Sequence, residues 1–180
     1  AVGYGHNALG RPFTEADWTD LDGPRPVAPY PQSKTIAERA AWDFINGSEN
    51  TNKMELVTIN PPLILGPVPN KDFRTSIELV RTIMLGQVPG VGRIKMGSVD
   101  VRDVASAIIL AMQTAEAAGK RFIVAADKSL WLKDIANLLH SKFSSRGYKI
   151  NKLEFPSILV RLIGLFDKKV ARVTESLDWD

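Results

Sequence analysis

Short β-rich runs alternate along this chain with longer segments of helical periodicity. This alternation restricts the folds that the chain can adopt more than any other feature does. The two convincing strands are 54–60 (MELVTIN) and 121–126 (RFIVAA). Helices are predicted at 31–46, 77–85, 103–115, 132–143 and 156–166. Strands that alternate with helices favour a parallel sheet with helices on its faces, which is an α/β fold. Two strands are too few to form an independent sheet.

Proline and aspartate mark several of the element boundaries. Pro31 suits the first turn of a helix. Pro61 and Pro62 cannot donate to a strand ladder, so the strand before them is expected to end in a loop. Asp103 is a good N-cap residue and is predicted to begin the third helix. Residues 1–29, rich in Gly, Pro, Asp and Trp, are predicted to form one long surface loop.

Composition excludes several classes of protein. The chain has 180 residues, 44% of them apolar, and no cysteine, so it offers no disulfide, zinc–thiolate site, iron–sulfur cluster or cysteine nucleophile. His6 and His140 are far apart in sequence, and no metal site is expected. The longest apolar runs, 105–112 and 157–166, are shorter than the roughly 20 residues that a membrane span requires. The first residues lack the basic start and apolar stretch of a secretory signal, so the sequence predicts a cytoplasmic protein.

Charge differs between the two parts of the chain. Residues 1–119 carry 11 Lys and Arg against 13 Asp and Glu, whereas residues 120–180 carry 12 against 7. The basic residues of the second part are spread over several segments and are not interleaved with aromatic side chains on one element. A solvated surface is therefore favoured over a polyanion site, and no nucleic-acid partner is expected.

Tyr30 and Lys34 stand four residues apart at the start of the first predicted helix, which places them on about the same face. A nearby ammonium stabilises the ionised form of a phenol, and such a pair is suited to protonating a carbonyl oxygen while hydride reaches the carbon. Chance also produces this spacing. The spacing therefore leaves an alternative open. In this alternative the two residues are an amphipathic tyrosine and a lysine whose aliphatic stem lies along the surface at a helix start, with no role in catalysis.

Three segments of the chain together resemble the extended short-chain dehydrogenase/reductase family. The stretch 30–34 (YPQSK) is similar to the active-site helix of that family, with its Tyr-x-x-x-Lys hallmark. The stretch 60–67 (NPPLILGP) looks like the strand and loop that follow this helix, and 99–105 (VDVRDVA) is similar to a strand-to-helix junction. Within the family, the nearest resemblance is to the dihydroflavonol 4-reductase-like branch, which includes aldehyde and ketone reductases.

The resemblance implies a particular place in a larger fold. The chain would be the C-terminal part of a Rossmann-type doubly wound parallel sheet, with a small substrate-side lobe, folded as a single unit. Residues 1–67 and 98–127 would belong to the Rossmann-type domain, and 68–97 and 128–180 to the lobe. The 180 residues contain no Gly-x-Gly-x-x-Gly turn, so the nucleotide-binding half and the catalytic serine of the family are expected before residue 1.

The resemblance also implies roles for individual residues. Tyr30 would be the general acid in reduction, and Lys34 would assist it and hold the nicotinamide ribose. Independently of the resemblance, Thr75 and Ser76 are predicted to open a helix whose N-terminus can receive a phosphate, so Ser76 is a candidate cofactor-binding residue, with helix capping as the alternative. The backbone groups expected to orient the nicotinamide ring belong to Pro61, Pro62, Leu63 and Ile64. The loop residues expected near the substrate, with packing as the alternative for each, are Tyr4, His6, Trp18, Pro29, Val91 and Met96.

The ligands and partners expected from the resemblance are a nicotinamide cofactor and a small carbonyl compound. The cofactor is NADP or NAD, and only the resemblance favours NADP. A homodimer paired through the active-site helix is suggested by analogy alone.

Two alternative functions stay open at this point. A nucleotide-sugar epimerase or dehydratase uses the same tyrosine and lysine, although the chain shows no obvious site for a nucleotide diphosphate. A truncated, non-catalytic binding or assembly module is the other alternative. In either case, these 180 residues alone are predicted to be inactive.

Overall fold

The computed structural model describes residues 2–7, 9–71, 75–166 and Leu177. The described elements, in chain order, are α1 (Pro29–Asn46), β1 (Thr58–Asn60), β2 (Leu63–Leu65), α2 (Thr75–Met84), β3 (Val91–Gly92), β4 (Lys95–Met96), β5 (Ser98–Asp100), α3 (Val101–Gln113), β6 (Arg121–Ile123), β7 (Leu130–Trp131), α4 (Leu132–Phe143), β8 (Glu154–Phe155) and α5 (Ser157–Gly164). Short 3-10 turns at Ala115–Ala117 and Ser144–Arg146 follow α3 and α4.

The chain divides into two compact units. Unit 1 consists of Ala1–Pro61 and Arg102–Val124, and unit 2 consists of Pro62–Val101 and Ala125–Asp180. The chain therefore passes between units after Pro61, Val101 and Val124, whereas the division expected from the sequence falls after residues 67, 97 and 127. Strands β2 and β5 belong to unit 2 for this reason.

Unit 1 is built on a parallel pair of strands. β1 and β6 pair in the register Thr58↔Arg121 and Asn60↔Ile123. Parallel strands need a long crossover between them, and the chain between β1 and β6 includes α3, whose Val104 is buried. The long segment before α1 is tied down by an antiparallel bridge between Val2 and Trp18.

Unit 2 contains three further strand pairs around its own apolar core. β2 pairs with β5 and β3 with β8, both in parallel, and β4 pairs with β7 in antiparallel orientation. Helices α2, α4 and α5 contribute apolar side chains to this core because each has an amphipathic pattern. The buried core residues are Ile83, Val91, Ile94, Leu132, Ala136, Ile150, Val160 and Leu177.

The expectation of only two convincing strands is wrong. The described residues form eight strands of two or three residues each, and the predicted loop after Pro62 begins with strand β2. The two predicted strands exist but are shorter, at Thr58–Asn60 and Arg121–Ile123. Strands this short show too few alternations for a periodic pattern to be detected.

The predicted N-cap at Asp103 is also wrong. Helix α3 begins at Val101, so Asp103 is the third helical residue and lies in the first turn. A carboxylate at that position still favours the helix, because it faces the positive end of the helix dipole. The sequence-based expectation therefore identified the correct helix and the wrong first residue.

No helix among the described residues combines the length and the apolar character needed to cross a bilayer.

Candidate active site

Tyr30 and Lys34 come together at the start of α1 in unit 1. The Nζ atom of Lys34 lies 5.5 Å from the centroid of the Tyr30 ring. Tyr30 is 72% exposed, so the residue is open to a ligand. The structure thus brings together the two residues that the spacing singled out, and it leaves the phenol open to solvent.

The first turns of α1 are shaped by proline and by side-chain hydrogen bonds. Ala28 is extended just before the helix, as expected of a residue close to the prolines at its start. The Thr35 hydroxyl donates to the Pro31 carbonyl at 2.8 Å, and both residues are buried. Because Tyr30 and Lys34 each precede one of these buried residues by one position, they lie on a neighbouring face and stay exposed.

A buried ion pair holds α1 against the strands of unit 1. The Nε atom of Arg121 on β6 lies 2.8 Å from Oε1 of Glu38 on α1, and both side chains are only 9% exposed. Thr58 Oγ1 and Asn60 Nδ2 of β1 donate to the same carboxylate oxygen at 2.9 and 3.3 Å. Burial alone would raise the pKa of Glu38, but hydrogen bonds to the carboxylate, those from Arg121, Thr58 and Asn60 among them, lower it to about 2.

Trp18 joins this cluster from the loop before α1. The Arg121 guanidinium lies 3.6 Å from the centroid of the Trp18 ring, a stacking distance for a cation over an indole. Arg39 of α1 lies over the same ring at 5.8 Å and donates to the Thr19 carbonyl at 3.1 Å. Trp18 is therefore used in packing, and it fixes the loop to the helix that carries Tyr30.

Tyr4 is the loop residue that interacts electrostatically with Tyr30. Its side chain is 47% exposed. Partial burial, with a smaller contribution from the neighbouring Tyr30 phenol, raises the pKa of Tyr4 above its ordinary value of 10.0. No local sequence pattern predicts an interaction between these two tyrosines, which are 26 positions apart.

His6 has a structural contact of its own. Its Nε2 atom lies 2.7 Å from the Trp18 carbonyl oxygen, so this nitrogen carries the proton and donates it. The ring also packs at a tilt on Phe13, with centroids 6.1 Å apart. These contacts account for His6 as a loop-fixing residue.

The four residues expected to meet the nicotinamide follow β1 directly. Pro61 and Pro62 have no N–H group, and the Leu63 amide already donates to the Gly97 carbonyl at 3.2 Å. Of these four residues, Ile64 alone has an N–H group that is not used in the pairing of β2 with β5. The backbone donor that this segment offers to a ligand is the Ile64 amide, together with carbonyl acceptors.

Ser76 lies at the second position of α2 in unit 2 and is half-buried. The helix begins at Thr75, so both residues are at a helix start, as expected from the sequence. No group of three or more His, Asp or Glu side chains suited to a metal ion occurs within the ranges that the structure describes.

Parallel strand pairs interleaved with helices make this chain an α/β protein. Residues 3–125 match the sequence profile of the NAD dependent epimerase/dehydratase family, which is more than half of the chain. The chain belongs to this family.

Several relatives with known activities resemble the chain over most of its length. It is 42% identical over 155 residues to a ketoreductase of Aspergillus niger, a match that covers 82% of this chain and 45% of the relative. It is 36% identical over 124 residues to the NADPH-dependent methylglyoxal reductase of Saccharomyces cerevisiae, with 66% and 36% covered. The crystal structure of yeast methylglyoxal/isovaleraldehyde reductase complexed with NADPH matches with a TM-score of 0.65 and 32% identity, over 78% of this chain and 44% of that one.

These comparisons confirm two predictions made from the sequence. The membership of the extended short-chain reductase group and the Rossmann-type α/β fold class are both correct. The relatives are oxidoreductases that use NADPH where their names state a cofactor. The chain spans less than half the length of the relatives named above.

Proposed function

We propose that this chain is the C-terminal part of an NADPH-dependent reductase that converts a small aldehyde or ketone to an alcohol. The observation that carries the proposal is the exposed Tyr30 phenol with the Lys34 ammonium 5.5 Å from its ring centroid, one helical turn away. The family membership and the reductase activities of the similar relatives support it.

Tyr30 acts as the proton donor in this proposal. As the carbonyl carbon is reduced, its oxygen gains negative charge and takes the phenolic proton, which completes the alcohol. A positioned general acid of this kind is worth about 10²- to 10⁴-fold in rate. Lys34 assists by placing a positive charge beside the phenol, which favours the tyrosinate that remains after the proton has left.

The proposal includes a nicotinamide cofactor, and the chain offers polar groups that would hold it. No carboxylate of the described residues pairs with the Lys34 ammonium, so its three N–H donors are available for ribose hydroxyl groups. The backbone of Pro61, Pro62, Leu63 and Ile64 would orient the nicotinamide, with Ile64 as the amide donor. NADPH, when bound, supplies the hydride. Ser76 remains a proposed phosphate contact at the start of α2.

The activities of the similar relatives favour the reductase over the epimerase or dehydratase alternative, because those relatives are reductases. We further propose a cytoplasmic location and a homodimer paired through α1. The exposure of Ile36 (56%) and Phe44 (40%) on that helix supports the pairing, since exposed apolar side chains on one helix favour association.

The proposal is tested by Tyr30→Phe in a full-length reductase that carries this chain. We expect kcat for NADPH-driven reduction of a small aldehyde to fall by about 10²- to 10⁴-fold, because the proton donor is lost while the ring is kept. NADPH affinity, measured by fluorescence titration, should change little. Nucleotide sugars serve as alternative substrates in the same assay.

Tyr148→Phe is the matched control, because Tyr148 belongs to unit 2 and packs edge-on against Phe143 at 6.0 Å. It should retain the parent activity. Undiminished turnover by Tyr30→Phe would remove Tyr30 from the mechanism. Conversion of a nucleotide sugar without net NADPH oxidation would replace the reductase with an epimerase.

A further inference from the structure

We propose that Glu15 closes the outer edge of strand β6 against strand pairing, and that loss of its carboxylate lets this edge pair with β6 of a second copy of the chain. Glu15 and β6 both belong to unit 1. This association between molecules is independent of the proposed reductase activity.

Strand β6 has one edge that no other strand of the described residues covers. On its inner edge, the Lys120 carbonyl and the Val124 amide hydrogen-bond to β1, at 3.1 and 3.4 Å. The backbone groups of successive strand residues point to opposite edges, so those of Arg121 and Ile123 point away from β1. An open edge of this kind is a template for a further strand.

Glu15 occupies this outer edge. Its Oε1 atom accepts a hydrogen bond from the Ile123 amide at 3.0 Å, and its main-chain carbonyl accepts one from the Arg121 guanidinium. The Ile123 amide is the largest cause that holds the pKa of Glu15 below its ordinary value of 4.5, so the acceptor is ionised at neutral pH. The carboxylate thus satisfies the N–H group that a neighbouring strand would otherwise bind.

Residues 11–18 form a turn that presents Glu15 to β6. The Asp17 carboxylate accepts hydrogen bonds from the Thr14 amide at 2.7 Å and from the Thr14 hydroxyl at 2.9 Å. It accepts two more from the Arg11 guanidinium, at 2.7 and 2.8 Å. The Asp17 amide donates back to the Thr14 carbonyl at 3.0 Å. Because these bonds lie within the turn, the turn can move away from β6 as a unit without losing them.

The other end of the turn is anchored. The ring centroid of Trp18 lies 3.6 Å from the Arg121 guanidinium, and Trp18 also forms an antiparallel bridge with Val2. A strand paired with β6 would lie about 4.8 Å from it, which is the space that the Glu15 side chain now spans. The turn must therefore swing aside about Trp18 before a second copy can bind.

The opened edge fits a second copy of the same strand. Two β6 strands related by a twofold axis run antiparallel, so each offers the other the outward backbone groups of Arg121 and Ile123. Charge does not oppose this pairing, because the Arg121 guanidinium is already paired with the buried Glu38 carboxylate at 2.8 Å. The two β1–β6 pairs would then join into one four-stranded sheet.

The test is Glu15→Ala in the full-length reductase that carries this chain. Hydrogen exchange is followed by mass spectrometry at low and at high protein concentration. At low concentration, we expect the Ile123 amide to exchange about 10-fold faster than in the parent, the effect of losing one hydrogen bond to a charged group. At high concentration this protection should return, and the mass from light scattering should be about twice that of the parent.

Glu15→Gln is the matched variant, because an amide oxygen accepts the same hydrogen bond without the charge. It should keep the mass of the parent and most of the protection at Ile123. Glu49→Ala removes an exposed carboxylate that has no hydrogen bond or ion pair with the described residues. It should behave as the parent does in both measurements.

Unchanged exchange at Ile123 in Glu15→Ala, or faster exchange that a higher concentration does not reverse, would overturn the proposal. Equal association of Glu15→Ala and Glu15→Gln would also overturn it, because the acceptor would then be unimportant. If Glu15→Ala fails to fold, Glu15→Gln decides, since loss of Ile123 protection in that variant contradicts the role of the acceptor. Reductase activity of the parent is assayed separately, and its absence would leave this inference standing.

Discussion

At the scale of single residues, the Glu38–Arg121 pair attaches α1, the helix that carries Tyr30 and Lys34, to the strands of unit 1. Its two side chains are 9% exposed, and Glu38 also accepts hydrogen bonds from Thr58 and Asn60 of the adjacent strand. Removing one partner of a buried ion pair takes the opposite charge away from the other, which is more damaging than the loss of an exposed pair. This pair therefore connects the stability of unit 1 to the placement of Tyr30.

We expect Arg121→Met to lower the free energy of unfolding by about 3 kcal/mol, because the buried Glu38 carboxylate loses its guanidinium partner. Urea unfolding monitored by circular dichroism measures the change. The control is Arg81→Met, which breaks an Arg81–Glu78 pair whose side chains are 45% and 47% exposed. That control should change stability by less than about 1 kcal/mol. Similar losses in both variants would contradict a special role for the buried pair.

The same carboxylate predicts an acid dependence of stability. The pKa of Glu38 is about 2 in the folded state, below its ordinary value of 4.5. Because this pKa is lowered in the folded state, the contribution of the Glu38 carboxylate to the free energy of unfolding is complete above pH 4.5. That contribution is lost as the pH falls toward 2. Urea unfolding at a series of pH values should therefore show a steeper loss in the parent than in Glu38→Gln. Asp17 and Glu15 also have lowered pKa values but are present in both proteins, so the difference reports Glu38. If the free energy of unfolding of the parent and of Glu38→Gln fell in parallel with decreasing pH, the role of Glu38 in acid sensitivity would be refuted.

At the scale of elements, the loop before α1 is held by backbone packing, and Gly5 is its tightest point. Gly5→Ala would bring a methyl group 1.9 Å from the Asp20 carbonyl oxygen, at a φ of +85°. Gly10 has a φ of +67° with no atom within 4 Å of an added Cβ, so Gly10→Ala isolates the backbone penalty. We expect Gly10→Ala to cost about 1 kcal/mol of stability and Gly5→Ala about 2 kcal/mol more. Equal losses in urea unfolding would show that the close approach to Asp20 is unimportant.

The helices show how far local sequence signals predict this fold. Helix α4 has the predicted bounds Leu132–Phe143, and α1 begins two residues before the predicted Pro31. Helical periodicity and proline signals act within one segment, so the sequence contains them. The register of a strand of two or three residues depends on a partner far along the chain, and no local pattern reports it.

The candidate site likewise has one part that local sequence signals predict and one part that they do not. Tyr30 and Lys34 were found because they lie one helical turn apart. The Glu38–Arg121 pair joins residues separated by 83 positions, and the interaction of Tyr4 with Tyr30 depends on how a loop folds back. Neither of these contacts leaves a signal in a single sequence, since only the folded backbone brings the partners together.

At the scale of the whole molecule, the 180 residues by themselves are proposed to be inactive. They contain no Gly-x-Gly-x-x-Gly phosphate-binding turn, and they span less than half of the relatives named above. We expect no saturable change in NADPH fluorescence when the isolated chain is titrated to about 100 μM, well above the micromolar affinities typical of specific ligands. A full-length reductase that carries this chain should bind NADPH in the same titration. Micromolar binding by the isolated chain would disprove the proposal.

The parallel pairing of β1 with β6 has a consequence for synthesis on the ribosome. Thr58 pairs with Arg121, so β1 leaves the exit tunnel about 60 residues ahead of its partner strand. At a translation rate of about 5–20 residues per second, β1 stays without this partner for roughly 3 to 12 s. During that time its unsatisfied backbone groups are open to chaperones or to a neighbouring nascent chain. Slower translation between the two strands would lengthen this exposure.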